Sequence, residues 1–427
     1  MRLLLVADDC NPQWPSLPVV GYQTCRSLAE LHDVTVATQV RNRPNIDAAG
    51  FGKAKVVYID SEYIAKPINS LAKWARGGTS TGWTTSIALN YPAYVCFEWE
   101  VWKRFRGELN AGKFDIVQRI TPMSPTLPSP LASWSPVPFV LGPLNGGLAW
   151  PKAYYGELRR EREWMTFVRS ACRLAPYYRS TYAHAAAILA AFPHTIEDLP
   201  TKNRRRVIDF PEVGFDPATF YPAERPASDS LTFLFAGRLV PYKCADVVLE
   251  AFALNPLLRH HKLWMVGDGP ERPLLEQIIQ KHQLQDCVSM LGWKTQAEVA
   301  ELLRKADVFA FPSIRELGAG VVVEAMACGM ACLVVDYGGP GGLIHDGIGI
   351  KVPLQAKQEM IRDYANGMLK LTGNPAATRA MGRAASQFAF EEYSWLRKAE
   401  KFTKVYEWVL GGGCKPAFIE SNSTPIG

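Results

Sequence analysis

The sequence predicts an α/β protein with two Rossmann-like, doubly wound domains. At 427 residues the chain is too long for one ordinary hydrophobic core and suits two domains of about 200 residues each. Short apolar runs alternate with segments of helical periodicity, which is the pattern of βαβ units and a parallel sheet. Residues 216–230 are proline-rich and mark the expected boundary. We therefore expect domains at residues 1–216 and 217–390, followed by a terminal amphipathic helix at 391–410.

The first half is predicted to begin with a buried strand, and a helix at residues 20–31 follows it. Its predicted strands are the short apolar runs at residues 3–7, 34–37, 56–59, 116–118, 139–141 and 187–190. Residues 61–110 have no clear periodicity and are expected to be irregular. They contain aromatic side chains that we expect to pack in the core and between the domains, with an acceptor-binding surface as the alternative: Tyr91, Tyr94, Phe97, Trp99, Trp102 and Phe105.

The second half alternates more clearly between strands and helices. Its predicted strands lie at residues 231–236, 263–266, 288–291, 308–311 and 332–335. Its predicted helices lie at residues 245–254 and 271–281, after the capping-box pair Thr295 and Glu298, and near 321–328. Strand and helix in regular order predict a doubly wound sheet, which binds its ligands at the carboxyl ends of the strands.

Composition and charge exclude several classes of protein. A hydrophobic content of 48% and a charged content of 21% are typical of globular proteins and argue against disorder. The net charge of +6 is too small to imply nucleic-acid binding, but it suits an anionic ligand. The apolar run after Met1 is too short for a signal peptide, and no stretch approaches the ~20 apolar residues of a membrane span. We expect a cytoplasmic protein.

Two motifs at the ends of predicted strands suggest a phosphate site. Residues 235–243 read Phe-Ala-Gly-Arg-Leu-Val-Pro-Tyr-Lys, so Gly237 permits a close approach of the backbone while Arg238 and Lys243 supply positive charge. Two solvated loop cations would be an equally good interpretation of these residues alone. Gly267 and Asp268 lie in a glycine-rich turn after the next strand. Such a turn is weak evidence alone, and it supports a phosphate site only because it falls on the same edge of the predicted sheet.

The most specific motif spans residues 313–329. A strand is followed by a glycine-bearing loop with Glu316, Gly318 and Ala319, and a helix is predicted to begin near Gly320 and to carry Glu324. The free N–H groups at the start of such a helix form an anion site. A carboxylate is unfavourable beside phosphate, so both glutamates are expected to accept hydrogen bonds from sugar hydroxyls.

Four glycines follow the strand at residues 332–335, within residues 338–342. They are predicted to allow another close approach of the backbone, with a plain flexible loop as the alternative.

These motifs together resemble family-four retaining glycosyltransferases (GT4), whose fold of two Rossmann-like domains facing a central cleft is called GT-B. The shared pattern is a Glu, seven residues and a second Glu, with the ending Glu-Ala-Met-Ala-Cys-Gly at residues 324–329. The Gly237, Arg238 and Lys243 pattern and the turn at residues 267–270 match in order and spacing. The resemblance covers roughly residues 231–350.

The resemblance implies transfer of a sugar from a nucleoside-diphosphate sugar to a hydroxyl acceptor, with retention of configuration. Arg238 and Lys243 would neutralise the diphosphate, Glu324 would hold the ribose, and Glu316 would contact the transferred sugar. Gly292 and Trp293 would lie beside the nucleobase. The terminal helix would cross back to the first domain. No Asp-X-Asp pair is present, so no metal or other cofactor is expected.

The first half departs from the family pattern, and this leaves the acceptor side open. Many relatives have a His-X-His after a strand of the first domain, but residues 115–122 contain no histidine. A Gly-Gly pair before the first helix is replaced by Pro18-Val-Val-Gly21, and Gly342 stands where relatives have Glu. We predict that the acceptor or sugar pocket is lined by Gly21, Arg119, Thr121, Asn145, Gly146 and Gly147.

Other functions remain open at the level of sequence. Residues 152–179 hold seven cations and three anions with interleaved aromatic residues, so they could dock on an anionic membrane, although a solvated helix face is the more ordinary interpretation. The alternatives to glycosyl transfer are a sugar-nucleotide hydrolase or epimerase and a catalytically silent sugar-nucleotide-binding protein.

Overall fold

A computed structural model of the chain describes residues 1–64, 83–154 and 173–418. The chain divides into two compact units, each of which is discontinuous in sequence. The first unit comprises Met1–Gly147, Arg162–Glu212 and Lys398–Gly427, and the second comprises Leu148–Glu161 and Val213–Arg397. Each unit contains one parallel sheet with helices between its strands, as expected for two Rossmann-like domains.

The first unit has a seven-stranded parallel sheet in the order β3-β2-β1-β4-β5-β6-β7. Its strands are β1 (Arg2–Ala7), β2 (Asp33–Gln39), β3 (Lys55–Ile59), β4 (Ile116–Thr121), β5 (Phe139–Leu144), β6 (Ala185–Ala190) and β7 (Val207–Asp209). Its main helices are α1 (Leu17–Leu31), α2 (Arg43–Ala49), α3 (Trp83–Asn110), α4 (Leu131–Trp134), α5 (Tyr178–His184) and α6 (Phe192–Asp198). Strand β7 has only three residues, which is why no apolar run predicted it.

The apolar runs of the first half are strands because both faces of the sheet are buried. Leu3 and Leu5 of β1 belong to one core cluster, whereas Leu4 and Val6 belong to the cluster on the opposite face. Successive side chains of a strand point to opposite faces, so a strand covered on both sides must be apolar throughout.

Helix α3 (Trp83–Asn110) corrects the expectation that residues 61–110 are irregular. Its buried residues Phe97, Val101 and Phe105 are spaced by one helical turn and pack in the core of the first unit. Tyr94 is buried beside them, whereas 46% of Trp99 is exposed. The expected core role of these aromatic residues is therefore confirmed for Tyr94, Phe97 and Phe105. The helix was missed because aromatic residues on several of its sides obscure the apolar stripe.

The second unit has a six-stranded parallel sheet in the order β10-β9-β8-β11-β12-β13. Its strands are β8 (Thr232–Ala236), β9 (Lys262–Val266), β10 (Val288–Gly292), β11 (Val308–Phe311), β12 (Ala331–Val335) and β13 (Gly349–Val352). Its main helices are α7 (Ala245–Leu254), α8 (Arg272–Lys281), α9 (Gln296–Lys305), α10 (Gly320–Ala327), α11 (Gly338–Leu343), α12 (Lys357–Thr372) and α13 (Pro375–Glu392). The predicted capping box of α9 is confirmed. The sheet order reverses between β8 and β11, which makes this the switch point where open α/β sheets bind ligands.

The terminal helix α14 (Trp395–Val409) begins later than predicted. The chain leaves α13 at Glu392, and Phe215 then accepts a hydrogen bond from Trp395 N and donates one to Tyr393 O, at 3.2 Å each. These bonds to a neighbouring segment replace the helical ones and separate the two helices. From Lys398 onward the chain belongs to the first unit. Four apolar residues of this part of α14 are buried in the first unit's core: Ala399, Phe402, Val405 and Tyr406.

Candidate functional site

The loops that follow β8 and β11 meet at the switch point of the second unit. The Lys243 ammonium forms an ion pair with Glu316, and both side chains are largely buried, with 12% and 16% of their surfaces exposed. Ser313 Oγ donates to Glu316 Oε1 at 3.0 Å, while Ile314 N donates to the Tyr242 carbonyl at 3.0 Å. The structure therefore brings together Lys243 and Glu316, which the sequence placed on separate motifs.

The two predicted diphosphate cations have different surroundings. The Lys243 ammonium lies 4.8 Å from the centroid of the Phe311 ring, a favourable cation–π distance. Arg238 is exposed, and its guanidinium donates to Tyr242 Oη at 2.7 Å. Arg238 can therefore meet an anion directly, whereas an anion must compete with Glu316 for Lys243.

The glycines after β8 and β9 allow two backbones to touch. A Cβ atom on Gly267, whose φ is +131°, would lie 1.9 Å from the Gly237 carbonyl oxygen. Gly237 N also donates to the Val266 carbonyl at 3.0 Å. Gly267 thus has a structural reason to be glycine, in addition to its predicted place in a turn of the donor site. It holds the loop that carries Arg238.

The remaining predicted donor residues on this edge follow β9 and β10. Asp268 is exposed and accepts a hydrogen bond from Gly269 N at 2.7 Å. Gly292 has φ +70° and accepts from Gly267 N at 2.8 Å. Trp293 is 71% exposed, so its ring is available to stack against a planar group.

Helix α10 begins at Gly320, as predicted. The preceding residue Ala319 adopts the left-handed conformation with φ 54°, next to the buried Gly318. No side chain caps this end, and the first turn contains no acidic residue. The start of α10 therefore presents backbone N–H groups and the positive end of the helix dipole to an anion.

Glu324 is half-buried on α10 between buried Val323 and Ala325. Its Oε1 accepts a long hydrogen bond of 3.4 Å from Gln296 Nε2. Burial raises the pKa of the Glu324 carboxyl to about 7, and the hydrogen bond from Gln296 opposes this shift. A carboxyl in this environment gains from any further donor that approaches it.

The glycines at 338–342 form the short helix α11, which corrects the loop prediction. A Cβ on Gly338, at φ +60°, would lie 2.5 Å from the Glu316 carbonyl oxygen, and Gly339 N donates to the same oxygen at 2.9 Å. The backbone at Gly338 and Gly339 therefore approaches the loop that carries Glu316 and not a ligand. This contact holds that loop in place.

In the first unit, Gly21 and Thr121 meet at the switch point between β1 and β4. Thr121 Oγ1 donates to the Asp9 carbonyl at 2.8 Å and accepts from Asp9 N at 3.1 Å. A Cβ on Gly21 would lie 2.5 Å from the same carbonyl oxygen. These two residues fix the loop after β1.

Arg119 cannot line an acceptor pocket, so this prediction was wrong. Its side chain is fully buried and donates to the carbonyl oxygens of Leu127 at 2.6 Å and Ser124 at 3.2 Å. The reason is the alternation of β4, which directs Arg119 toward the face covered by α3, where its guanidinium lies 5.9 Å from the Tyr94 ring centroid.

An ionic network after β1, β2 and β3 was not predicted from the sequence. Arg41 pairs with Asp8 at 2.7 Å, with Asp9 at 3.1 Å and with Glu62 at 3.5 Å. Desolvation and the neighbouring charge of Asp8 raise the pKa of the Asp9 carboxyl, whereas Arg41 lowers it. Two adjacent aspartates directly after a buried strand were the available signal.

A second contact that the sequence did not reveal joins two strand ends of the first unit. Asn145, predicted from its motif, donates through Nδ2 to Glu212 Oε1. Gly146 and Gly147 follow it, and Gly146 N donates to Thr195 Oγ1 at 3.2 Å. No local pattern distinguishes Glu212, because it follows the short strand β7.

Residues 155–172, which include most of the predicted basic segment, lie outside the described residues. Within the described ranges, no helix has both the length and the apolar character needed to cross a membrane. The same part of the chain contains no group of three or more His, Cys, Asp or Glu residues placed to hold a metal ion.

Comparison with solved structures identifies the fold. The crystal structure of Anabaena Alr3699/HepE in complex with UDP has a TM-score of 0.63 at 14% sequence identity, and the match covers 96% of this chain and 100% of that one. Sucrose-phosphate synthase from Thermosynechococcus elongatus has a TM-score of 0.64 at 18% identity, with coverage of 96% and 99%. The protein has the GT-B fold of two Rossmann-like units.

The sequence of the second unit identifies the family of this domain. Residues 219–388 match the model of the family "Glycosyl transferases group 1". The chain is 31% identical over 195 residues to D-inositol 3-phosphate glycosyltransferase of Streptomyces bingchenggensis, a match that covers 43% of this chain and 42% of that protein. It is 33% identical over 224 residues to the protein of the same name from Kineococcus radiotolerans, with coverage of 45% and 50%. The matched stretch spans no more than half the length of these relatives. Residues 219–388 thus form a domain of the glycosyl transferases group 1 family.

Proposed function

We propose that the protein is a retaining glycosyltransferase that moves a sugar from a nucleoside-diphosphate sugar to a hydroxyl acceptor. The observation that carries this proposal is the convergence, at one switch point, of Arg238, the Lys243–Glu316 ion pair and the uncapped start of α10. It is supported by the family of this domain and by the UDP and UDP-glucose bound in the Anabaena structures.

The site's chemistry suits a departing diphosphate. When the glycosidic bond breaks, negative charge develops on the diphosphate, and fixed cations and backbone N–H groups stabilise that charge. Arg238 and the start of α10 supply these groups directly. Lys243 supplies a third by exchanging Glu316 for phosphate, which leaves the Glu316 carboxylate available to a sugar hydroxyl. In this scheme the cations neutralise the diphosphate without a metal ion. Glu324 binds the ribose hydroxyls, and Trp293 packs against the nucleobase.

A donor panel tests the proposal. Isothermal titration and thermal shift with UDP-, GDP-, ADP- and TDP-sugars should reveal one preferred nucleotide, and a donor at ten times its Kd should stabilise the protein by about 1.4 kcal/mol. Arg238→Ala should weaken the binding of this donor. Arg259→Ala, which changes another exposed arginine of the same unit, should leave the binding unchanged. Unchanged affinity in Arg238→Ala would contradict the assignment.

Turnover separates the proposed function from its alternatives. A transferase releases the nucleoside diphosphate faster when an acceptor is added, and it forms a glycosylated product. A hydrolase or epimerase consumes the donor without any acceptor, and a silent binding protein leaves it unchanged. Release of nucleoside diphosphate and conversion of the donor to another nucleoside-diphosphate sugar, each measured with and without a library of hydroxyl acceptors, therefore distinguish these functions.

Donor affinity is expected to rise with pH through the titration of Glu324. Its pKa of about 7 in the folded protein means that the carboxyl is largely protonated at pH 5.5. Ribose hydroxyls donate to the ionised form, so the donor should bind roughly 30-fold more weakly at pH 5.5 than at pH 8. Titration calorimetry with the nucleoside-diphosphate sugar measures this dependence.

The free energy of unfolding should change in the opposite direction over the same range. Because burial raises the pKa of Glu324 above its usual value, its favourable contribution is present below about pH 4.5 and is lost as the pH rises through 7. Glu324→Gln should flatten both curves, whereas Glu298→Gln, which keeps a capping-box residue at the start of α9 and removes only an exposed carboxylate, should flatten neither. A Glu324→Gln protein that retained the full pH dependence of donor binding would exclude Glu324 as the ribose ligand.

A further inference from the structure

Glu212 has a buried carboxylate oxygen for which the structure provides no partner. The residue is 5% exposed, and Asn145 Nδ2 donates to its Oε1. Its Oε2 is buried without a hydrogen bond. A buried unpaired carboxylate oxygen is costly, and each one in a native protein needs an explanation. Burial raises the pKa of the Glu212 carboxyl, while the hydrogen bond from Asn145, the residue's own backbone N–H and the charge of Lys398 lower it.

Another buried glutamate in the same unit shows how a purely structural carboxylate is treated. Glu98 is fully buried, and donors reach both of its oxygens. Tyr94 Oη and Ser129 Oγ donate to Oε1, and Leu131 N donates to Oε2 at 2.9 Å. The fold thus satisfies Glu98 completely, whereas it leaves one oxygen of Glu212 for a donor from outside the fold.

The position of Glu212 is one where open α/β sheets bind ligands. Asn145 follows β5 and Glu212 follows β7, so both lie beyond the carboxyl ends of parallel strands that flank β6 in the same sheet. Thr195, on the helix after the intervening strand β6, donates to the Gly146 carbonyl at 2.8 Å and lies 3.5 Å from Asn145 Oδ1. The amide of Asn145 is therefore held in place, and it in turn orients the Glu212 carboxyl.

We propose that Glu212 and Asn145 form a subsite for a hydroxyl group of an uncharged carbohydrate or polyol acceptor, a proposal that rests on the transferase function above. A hydroxyl satisfies Oε2 as a donor and can also accept if the carboxyl is protonated. A phosphate offers neither advantage beside an ionised carboxylate. The nearby ammonium of Lys398 lowers the pKa of the Glu212 carboxyl through its charge, while it donates to the Pro211 carbonyl and lies 4.0 Å from the centroid of the Phe210 ring.

The test uses ligand-observed NMR on the full chain in the presence of UDP. The probes are myo-inositol and methyl α-D-glucopyranoside, together with inositol monophosphate and glucose phosphate as charged counterparts. We expect the neutral probes to bind the wild-type protein and to bind Glu212→Gln roughly 10- to 100-fold more weakly, since one hydrogen bond to a charged group is lost. Glu98→Gln is the matched control and should bind them as the wild type does. The affinity for UDP should be equal in all three proteins.

Asn145→Ala is the second variant, and it tests the subsite if Glu212→Gln does not fold. It should also weaken the binding of the neutral probes without changing the affinity for UDP. Equal binding of the neutral probes by the wild type and Glu212→Gln would overturn the proposal, as would preferred binding of the charged probes or no binding of any neutral probe.

Binding of the nucleotide and of the nucleotide sugar provides further controls. Weaker binding of UDP-glucose but not of UDP to Glu212→Gln would assign the hydroxyl to the donor's sugar and overturn the acceptor assignment. A wild-type protein that bound the neutral probes but none of the nucleotides would contradict the proposed function and leave the hydroxyl subsite standing. The two failures are therefore distinguishable.

Discussion

Replacing Lys243 by alanine is expected to lower kcat by about 10²- to 10³-fold, the usual cost of removing one group that stabilises developing negative charge. The ammonium lies at the switch point, paired with Glu316 and held over the Phe311 ring. Because charge on the diphosphate grows in the transition state, kcat should fall more than donor affinity. Initial rates of nucleoside-diphosphate release measure the effect. Lys351→Ala, which breaks the more exposed ion pair with Asp336 in the same unit, should leave kcat unchanged.

A double variant separates catalysis from charge balance at this position. Without Lys243, Glu316 loses the cation with which it pairs and could disturb the loop that carries it. Lys243→Ala combined with Glu316→Gln removes that uncompensated charge. If Lys243 stabilises the leaving diphosphate, the double variant is at least as slow as the single one, because Glu316→Gln also weakens the contact with the sugar. Recovery of activity in the double variant would instead assign Lys243 a purely structural role.

Gly267→Ala is expected to lower the free energy of unfolding by about 3–5 kcal/mol and to weaken the binding of the donor as well. The new Cβ would lie 1.9 Å from the Gly237 carbonyl oxygen, at a φ of +131° that L-residues rarely adopt. Two backbones would have to separate, and the one that moves carries Arg238. Urea denaturation and donor titration measure the two consequences.

Gly347→Ala isolates the conformational part of that cost. Gly347 lies in the same unit with φ +92°, and a Cβ there would meet no atom within 4 Å. Its substitution should cost only about 1 kcal/mol and leave donor binding intact. Equal losses in the two variants would show that contact between the Gly237 and Gly267 backbones contributes nothing.

The sequence predicted the second unit well because its strands and helix starts are marked by residues that are close together in the chain. Strands such as β11 are buried on both faces and read as apolar runs, and Thr295 with Glu298 marks the start of α9 within four residues. The start of α10 at Gly320 was also predictable, since a glycine-bearing loop separates it from an apolar strand in the sequence. These features depend on the backbone and on near neighbours.

The features that were missed depend on distant parts of the chain. Arg119 looked like an accessible cation, but the helix α3 that buries it lies in a segment whose periodicity was obscured. The pairing of Lys243 with Glu316 joins residues on two different loops. Glu212 became visible only when its surroundings showed that one oxygen has no donor. No spacing in the sequence encodes such relations.

The division of the chain has a consequence for its synthesis on the ribosome. The buried residues Ala399, Phe402, Val405 and Tyr406 complete the apolar core of the first unit, although they lie more than 180 residues beyond Glu212. Until α14 has emerged from the exit tunnel, the nascent first unit keeps part of its apolar face uncovered and open to chaperones or to self-association. The second unit, by contrast, ends at Arg397 and does not include these four residues.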